Sequence, residues 1–111
     1  MKDVTVGNYP EKLSLTVESS ARQASKEQFE LFNLIESNFI TILDSSRNFM
    51  DTHPEMAMMK DKNYEAEAIY IGILKGNKKP WELSLINTAD GSSYCIIEWD
   101  GLKPISLSLE E

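Results

Sequence analysis

The hydrophobic pattern of this chain changes period once, and that change constrains the fold more than any other feature. Between Ser25 and His53, apolar residues recur every three to four positions, as on one face of an α-helix. From Glu65 onward the period becomes two, as in β-strands with one buried face. We therefore expect an α+β protein in which helix and strands occupy separate stretches of sequence.

One long helix is predicted from Ser25 to about Asp51. Ser25 and Gln28 have the spacing of a capping box, and Pro54 disfavours helical geometry at His53. At 100° per residue, one arc of the helix collects the apolar side chains that would pack on a sheet. These are Leu31, Phe32, Ile35, Phe39, Ile42, Leu43, Phe49 and Met50.

Strands are predicted on both sides of this helix. VTV at 4–6 and LSLTV at 13–17 flank the turn-forming sequence GNYPE, which predicts an N-terminal β-hairpin. Four more strands are predicted over 68–74, 81–86, 94–99 and 105–109. Because the links between these four are short, we expect a four-stranded antiparallel meander packed on the helix, all within a single domain over residues 1–111.

The two faces of the meander are expected to differ. In the last strand, Ile105, Leu107 and Leu109 are predicted to face the helix, while Ser106 and Ser108 point outward. The strands also carry apolar residues on the other side, among them Tyr70, so that second face is too apolar to be fully solvated. We expect the hairpin, the segment around residues 53–65 or a partner to cover it.

Charge is the strongest global property of the chain. Its 18 acidic and 11 basic residues give a formal net charge of −7 at pH 7. Nucleic acids are bound by basic patches, and the longest basic cluster here is Lys78-Lys79, so no nucleic-acid partner is expected. A basic protein is the more natural partner, and the alternative is that the acidity serves solubility alone.

The sequence offers little catalytic chemistry. It has one His and one Cys, and the phosphate-binding and nucleophile-elbow glycine motifs are absent. His53 is expected at a helix end, and Cys95 in a strand near Glu98 and Asp100, which would not activate a thiol. We therefore expect no enzymatic activity, no zinc site and no cofactor.

Location is inferred from the same sparse features. The lone Cys95 cannot form an intramolecular disulfide, and the first residues lack the apolar segment of a signal peptide. No apolar run approaches the roughly 20 residues that a membrane helix needs. We expect a cytoplasmic protein with no membrane partner.

Acidic and aromatic residues are the candidates for contact with a protein partner. Asp61, Glu65 and Glu67 are close in sequence, and a weak calcium site or a carboxylate pair is the alternative to the solvated acidic surface that we expect there. The remaining candidates in this half of the chain are Tyr64, Trp81, Glu98 and Asp100.

Two further candidates lie on the predicted helix, outside its core arc. Phe29 and Ile40 fall on one flank, about three turns apart. We expect this flank to be covered internally by methionines of the following segment, or to be buried against a partner or a second copy of the chain. The methionines concerned are Met56, Met58 and Met59.

The order of these segments resembles that of a class of bacterial proteins. A helix opened by SKEQFELF, followed by AIYIGIL, WELSLI and YCIIEWDGLKPISLSL, is similar to small bacterial domains of uncharacterised families found among the immunity proteins of toxin systems. Several such domains carry Trp-Asp-Glu-Glu-His-Gly after the second strand of the meander, where this chain has INTADGSS, so no residue role is transferred. The resemblance implies a small acidic protein that binds a toxin, often a basic nuclease, and blocks it.

Two functional hypotheses lead, and the third is a hydrolase whose catalytic carboxylates the sequence does not place. The first is a protein-binding domain of the immunity or antitoxin type that neutralises a basic bacterial toxin. The alternative is a non-catalytic ligand-binding or accessory domain with a pocket between helix and sheet. A toxin gene beside this one would favour the first, and an operon of enzymes would favour the second.

Overall fold

The computed structural model describes residues 2–6, 9, 11–18, 24–53, 63–74, 76–89 and 91–110. It is an α+β structure with two helices and a six-stranded sheet. In chain order the elements are β1 (Lys2–Val4), β2 (Leu13–Val17), α1 (Lys26–Ser37), α2 (Phe39–Asp51), β3 (Tyr64–Ile71), β4 (Pro80–Asn87), β5 (Tyr94–Asp100) and β6 (Lys103–Glu110).

The six strands form one mixed sheet in the order β1-β2-β3-β4-β5-β6. Strands β2 and β3 pair in parallel, and all other neighbours pair antiparallel. The prediction of a separate four-stranded meander is wrong in this detail, because the N-terminal hairpin extends the same sheet. The helical segment between β2 and β3 provides the long crossover that parallel neighbours require. Strand bounds also differ from those predicted, since β1 ends at Val4 and β3 already begins at Tyr64.

The predicted single helix is also wrong, because it divides at Asn38 into α1 and α2. Asn38 has φ −119° and ψ 19°, outside the helical region. Its backbone N–H donates to the Ile35 carbonyl, and its side-chain amide donates to the Leu34 carbonyl at 2.8 Å. These bonds satisfy carbonyls that the end of α1 would otherwise leave unpaired. The start of the helix is as predicted, with a capping box between Ser25 and Gln28.

One cluster of buried residues joins the helices to the sheet. Of the predicted apolar arc, Phe32, Leu43 and Phe49 are partly buried against the cluster, and the rest are buried. On the sheet, buried and partly exposed residues alternate along β4, so only one face of the strand contributes to the core. Cross-strand pairs in this core include Ile69 with Leu83.

One prediction about the faces of the strands is corrected, since Ile105 is 53% exposed. Leu107 and Leu109 lie on the core side as predicted, opposite Ile97 and Cys95, and Leu109 is 36% exposed because β6 is an edge strand of the sheet. A register shift between Glu98 and Trp99 pairs Trp99 with Pro104 and leaves Ile105 without a Cα partner in β5. Such a bulge turns a side chain away from the face that strict alternation predicts.

Candidate functional site

The second face of the sheet, which we call the outer face, carries the alternate residues of the strands. It is defined by Tyr70, Glu82, Ser84, Ile86, Ile96, Glu98, Ser106, Ser108 and Glu110. One row crosses four strands, because Tyr70 pairs with Glu82, Glu82 with Glu98, and Glu98 with Ser106. Two carboxylates are thereby placed directly opposite each other on neighbouring strands.

A pocket of about 380 Å³ lies at the end of this row. It is lined by Tyr70, Gly72, Lys78, Pro80, Trp81, Glu82, Glu98, Trp99, Asp100 and Ile105. The lining thus combines three carboxylates with aromatic and aliphatic groups and one lysine. We call this the outer-face pocket.

The electrostatics of the pocket are those of acids held close together. Burial raises the pKa of Glu82 above its ordinary value, and the negative charges of Glu98 and Glu110 raise it further. Ion pairs in the described ranges are confined to the helices, where Lys26 meets Glu30 and Arg47 meets Asp44, each at 3.9 Å. Within those ranges, therefore, neither Glu82 nor Glu98 forms an ion pair, although Lys78 also lines the pocket.

Hydrogen bonds fix the ends of the pocket. The Lys79 backbone N–H donates to Asp100 Oδ1 at 2.8 Å, and Trp81 Nε1 donates to the Gly101 carbonyl at 2.7 Å. Gly101 has φ 59°, which the β5–β6 turn needs and which glycine adopts without strain. Tyr70 is held through its hydroxyl, which donates to the carboxylate of Glu18. That bond is also the main reason that the pKa of Tyr70 is raised.

A pair of tryptophans supports the same end of the sheet. Trp81 and Trp99 are directly opposite, and their rings stack with centroids 5.3 Å apart. Each is 1% exposed. Trp99 Nε1 is buried and finds no hydrogen-bond acceptor among the described residues. An unpaired buried donor is uncommon in folded proteins and costs free energy.

The structure brings together three of the predicted contact residues, since Trp81, Glu98 and Asp100 all line the outer-face pocket. Trp81 is buried there rather than presented to solvent. Tyr64 is also a core residue, with 5% exposure. At the opposite end of β3, Glu65 is exposed and pairs with Ile86.

The remaining predicted residues lie apart from the pocket. Glu67 is partly exposed beside a register shift in β3, and Asp61 lies outside the described residues. Phe29 and Ile40 are 58% and 65% exposed. The methionines expected to cover them, at 56, 58 and 59, are also outside the described residues.

Sequence reasoning missed Tyr70 and Glu82 as site residues. Both sit at alternate positions in strands, so their outward direction was readable from the pattern. What the sequence did not provide was the register that sets Glu82 opposite Glu98. The bulge that leaves Ile105 at the pocket was likewise not apparent from the ISLSL pattern.

Cys95 and His53, the residues with nucleophilic or metal-binding side chains, are engaged in packing and local contacts. Cys95 is buried, and this burial raises the pKa of its thiol to about 12. His53 Nδ1 lies 2.8 Å from the Phe49 carbonyl near the end of α2, and its ring contacts that of Phe49. Across the described ranges, no group of three or more His, Cys, Asp or Glu residues is arranged to hold a metal ion.

A second, smaller cavity of about 200 Å³ lies between the N-terminal strands and α1. It is lined by Val4, Leu15, Val17, Ala24, Gln28, Phe29 and Phe32. Its lining is almost wholly apolar, and it does not include the acidic residues of the outer face.

Comparison with known proteins identifies no relative: no family model, no curated protein and no solved structure matches the chain. Neither described helix combines the length and apolar character needed to cross a membrane.

Proposed function

We propose that this chain is a protein-binding domain whose outer sheet face binds a basic protein. The observation that supports this most directly is the pair Glu82 and Glu98, opposite each other beside a pocket of about 380 Å³ and without an ion pair among the described residues. Within this proposal, the specific function is that of an immunity-type inhibitor that neutralises a bacterial toxin in the cytoplasm.

The two opposed carboxylates reduce the stability of the free protein. Like charges directly opposite each other in an antiparallel sheet are destabilising. Partial burial of Glu82 adds to that cost, as the raised pKa of its carboxyl group reflects. A cationic partner would turn this repulsion into attraction, so the cost in the free protein becomes an advantage in the complex.

The net charge of −7 supports the same proposal at long range. A strongly acidic protein attracts basic partners before contact and so increases the rate of association. The buried thiol of Cys95 and the partly exposed ring of His53, whose Nδ1 lies beside the Phe49 carbonyl, support a role in binding rather than catalysis.

The alternative, a small-molecule site between helix and sheet, has weaker support. The cavity beside α1 measures about 200 Å³. Ligand pockets in proteins commonly have about 300–1,000 Å³ and contain a few polar groups that orient the ligand. The outer-face pocket is within that range of volume, but it lies on the side of the sheet away from the core.

Affinity capture from a lysate of the native host tests the proposal. The immobilised wild type is compared with a variant carrying Glu82→Gln and Glu98→Gln, and with a control carrying Glu30→Gln and Asp44→Asn. The control has the same change in net charge but alters exposed residues of the helices. We expect the wild type and the control to retain the same basic protein and the outer-face variant to lose it.

The inhibitor function is tested with the captured protein itself. Its expression alone should arrest bacterial growth, and co-expression of the wild type should restore growth. Retention of an acidic protein, or equal retention by all three baits, would contradict the proposed binding face. A captured basic protein that is harmless when expressed would contradict the toxin-inhibitor function alone.

A further inference from the structure

We infer that the outer-face pocket binds an arginine side chain of the partner, with the guanidinium group between the carboxylates of Glu82 and Glu98. This inference rests on the proposed function, because it specifies how the same face would recognise a basic protein. It goes beyond general charge attraction, since it assigns one residue type to one pocket.

The geometry of the two carboxylates favours a planar cation between them. Glu82 and Glu98 pair directly across β4 and β5, and the side chains of such pairs start about 5 Å apart. A guanidinium group has five N–H donors fixed in one plane, so it can donate to two carboxylates at once. An ammonium group is a compact, strongly hydrated point charge that lacks this planar fork.

The mixed lining of the pocket also favours a guanidinium group over an ammonium group. Tyr70 is 36% exposed at one end of the row, and Pro80 and Ile105 add apolar surface. A guanidinium group is weakly hydrated and stacks on aromatic rings, so it tolerates such surroundings better than an ammonium group does. The volume of about 380 Å³ also suits a side chain rather than a single ion.

The test uses N-acetyl-L-arginine amide as the probe, titrated into the ¹⁵N-labelled wild-type protein and followed by NMR. N-acetyl-L-lysine amide is the matched probe with the same charge. We expect saturable shifts at Tyr70, Glu82 and Glu98, with millimolar affinity, as is usual for so small a ligand. The lysine probe should bind about tenfold more weakly.

Variants then locate the site. Glu82→Gln and Glu98→Gln should each weaken the arginine probe about tenfold, whereas Glu30→Gln on α1 should leave its affinity unchanged. The ¹⁵N spectrum of each variant also shows whether it is folded. Absence of saturable shifts at the pocket, equal affinity for both probes, or indifference to both outer-face substitutions would each overturn the inference.

Failure of this inference can be distinguished from failure of the proposed function. If the outer-face variant loses the captured protein but the arginine probe does not bind the wild type, the face binds a partner without an arginine pocket. If the probe binds the pocket and yet no basic protein is captured through this face, the pocket stands and the proposed function fails.

Discussion

At the scale of single residues, Gln28 joins three parts of the chain through one buried side chain. Its Oε1 accepts from the Ser25 N–H at 2.8 Å, which completes the capping box. Its Nε2 donates to the carbonyls of Glu18, after β2, and Gly72, after β3. The same residue therefore starts α1 and attaches it to the two parallel strands.

Replacement of Gln28 should lower the free energy of unfolding substantially, because one side chain makes several buried hydrogen bonds. Gln28→Ala removes the reciprocal cap bond and leaves two carbonyls without this donor, so we expect a loss of about 2 to 4 kcal/mol in the free energy of unfolding. Gln28→Glu keeps the acceptor but turns a carboxylate towards the carbonyls of Glu18 and Gly72. The loss in the free energy of unfolding caused by Gln28→Glu should be smaller at acidic pH, where a protonated carboxyl group can donate a hydrogen bond. Urea unfolding measures both, and a loss under about 1 kcal/mol for Gln28→Ala would contradict this role.

Glu82 should show the opposite behaviour, because its charge opposes folding. Burial, Glu98 and Glu110 raise the pKa of Glu82 in the folded protein above its unfolded value. The folded state therefore binds the proton more tightly, and stability is lost as pH rises through the folded pKa. Since the group is only partly buried, solvent screening keeps this loss small.

Glu82→Gln should consequently stabilise the protein at neutral pH, by roughly 0.2 to 1 kcal/mol. The gain should vanish below about pH 4, where the wild-type carboxyl is protonated in both states. Thermal or urea unfolding at both pH values measures it, with Glu30→Gln as the control. A destabilised variant at pH 7 would show that Glu82 has a favourable partner in the free protein.

The residue types of the candidate site were partly predictable from the sequence. Glu98, Asp100 and Trp81 were named because acidic and aromatic residues suit contact with a basic protein. Tyr70 and Glu82 were not, because their role depends on register, which a single strand does not reveal.

At the scale of elements, the division of the helix at Asn38 shows where periodicity is insufficient. The apolar pattern continues across the break, since Ile35 and Phe39 are both buried. Neither proline nor glycine marks the position, and asparagine is only a modestly poor helix former. Its side-chain amide can bond the Leu34 carbonyl locally, which offers the backbone an alternative to a continuous helix.

Phe39, the first residue of α2, tests the packing of the helices on the sheet. It is 3% exposed, and its ring meets that of Tyr9 edge-on with centroids 5.3 Å apart. Phe39→Ala should cost about 3 to 5 kcal/mol in the free energy of unfolding. The neighbouring substitution Ile40→Ala, at a residue that is 65% exposed, should change it by less than about 0.5 kcal/mol. Similar values for the two would mean that the α2 surface is assigned the wrong way round.

The exposed side chains Phe29 and Ile40 lie on different helices, because α1 ends before Asn38. The sequence-based prediction that an interface buries them stays a prediction. Sedimentation velocity over a range of concentrations tests it. Self-association that Ile40→Asp abolishes would support an interface between copies, whereas a monomer at every concentration would exclude one.

At the scale of the whole molecule, the α+β class and the number of strands were predictable, and the pairing of the hairpin was not. The change of period between the helical segment and the later strands fixes the class. Short links constrain β3 to β6 to antiparallel neighbours, but a long connection such as that between β2 and β3 allows many placements. The parallel pairing of β2 with β3 is settled by tertiary contacts, among them those of Gln28.

In the proposed function, the outer face would attract its partner through the charge of the whole protein as well as through its pocket. Exposed carboxylates attract a basic partner before contact. Dissolved salt screens this attraction beyond about 8 Å at physiological ionic strength. Screening affects the rate of association more than the rate of dissociation, which depends on contacts already made.

The association rate constant of the captured partner shows whether the acidic outer face captures a basic protein, when it is measured against ionic strength for the wild type and for the Glu82→Gln, Glu98→Gln variant. We expect a rate that falls as salt increases, and falls less steeply for the variant because two of the attracting charges are gone. A rate indifferent to salt, or the same dependence in both proteins, would contradict the claim that this acidic face captures a basic protein.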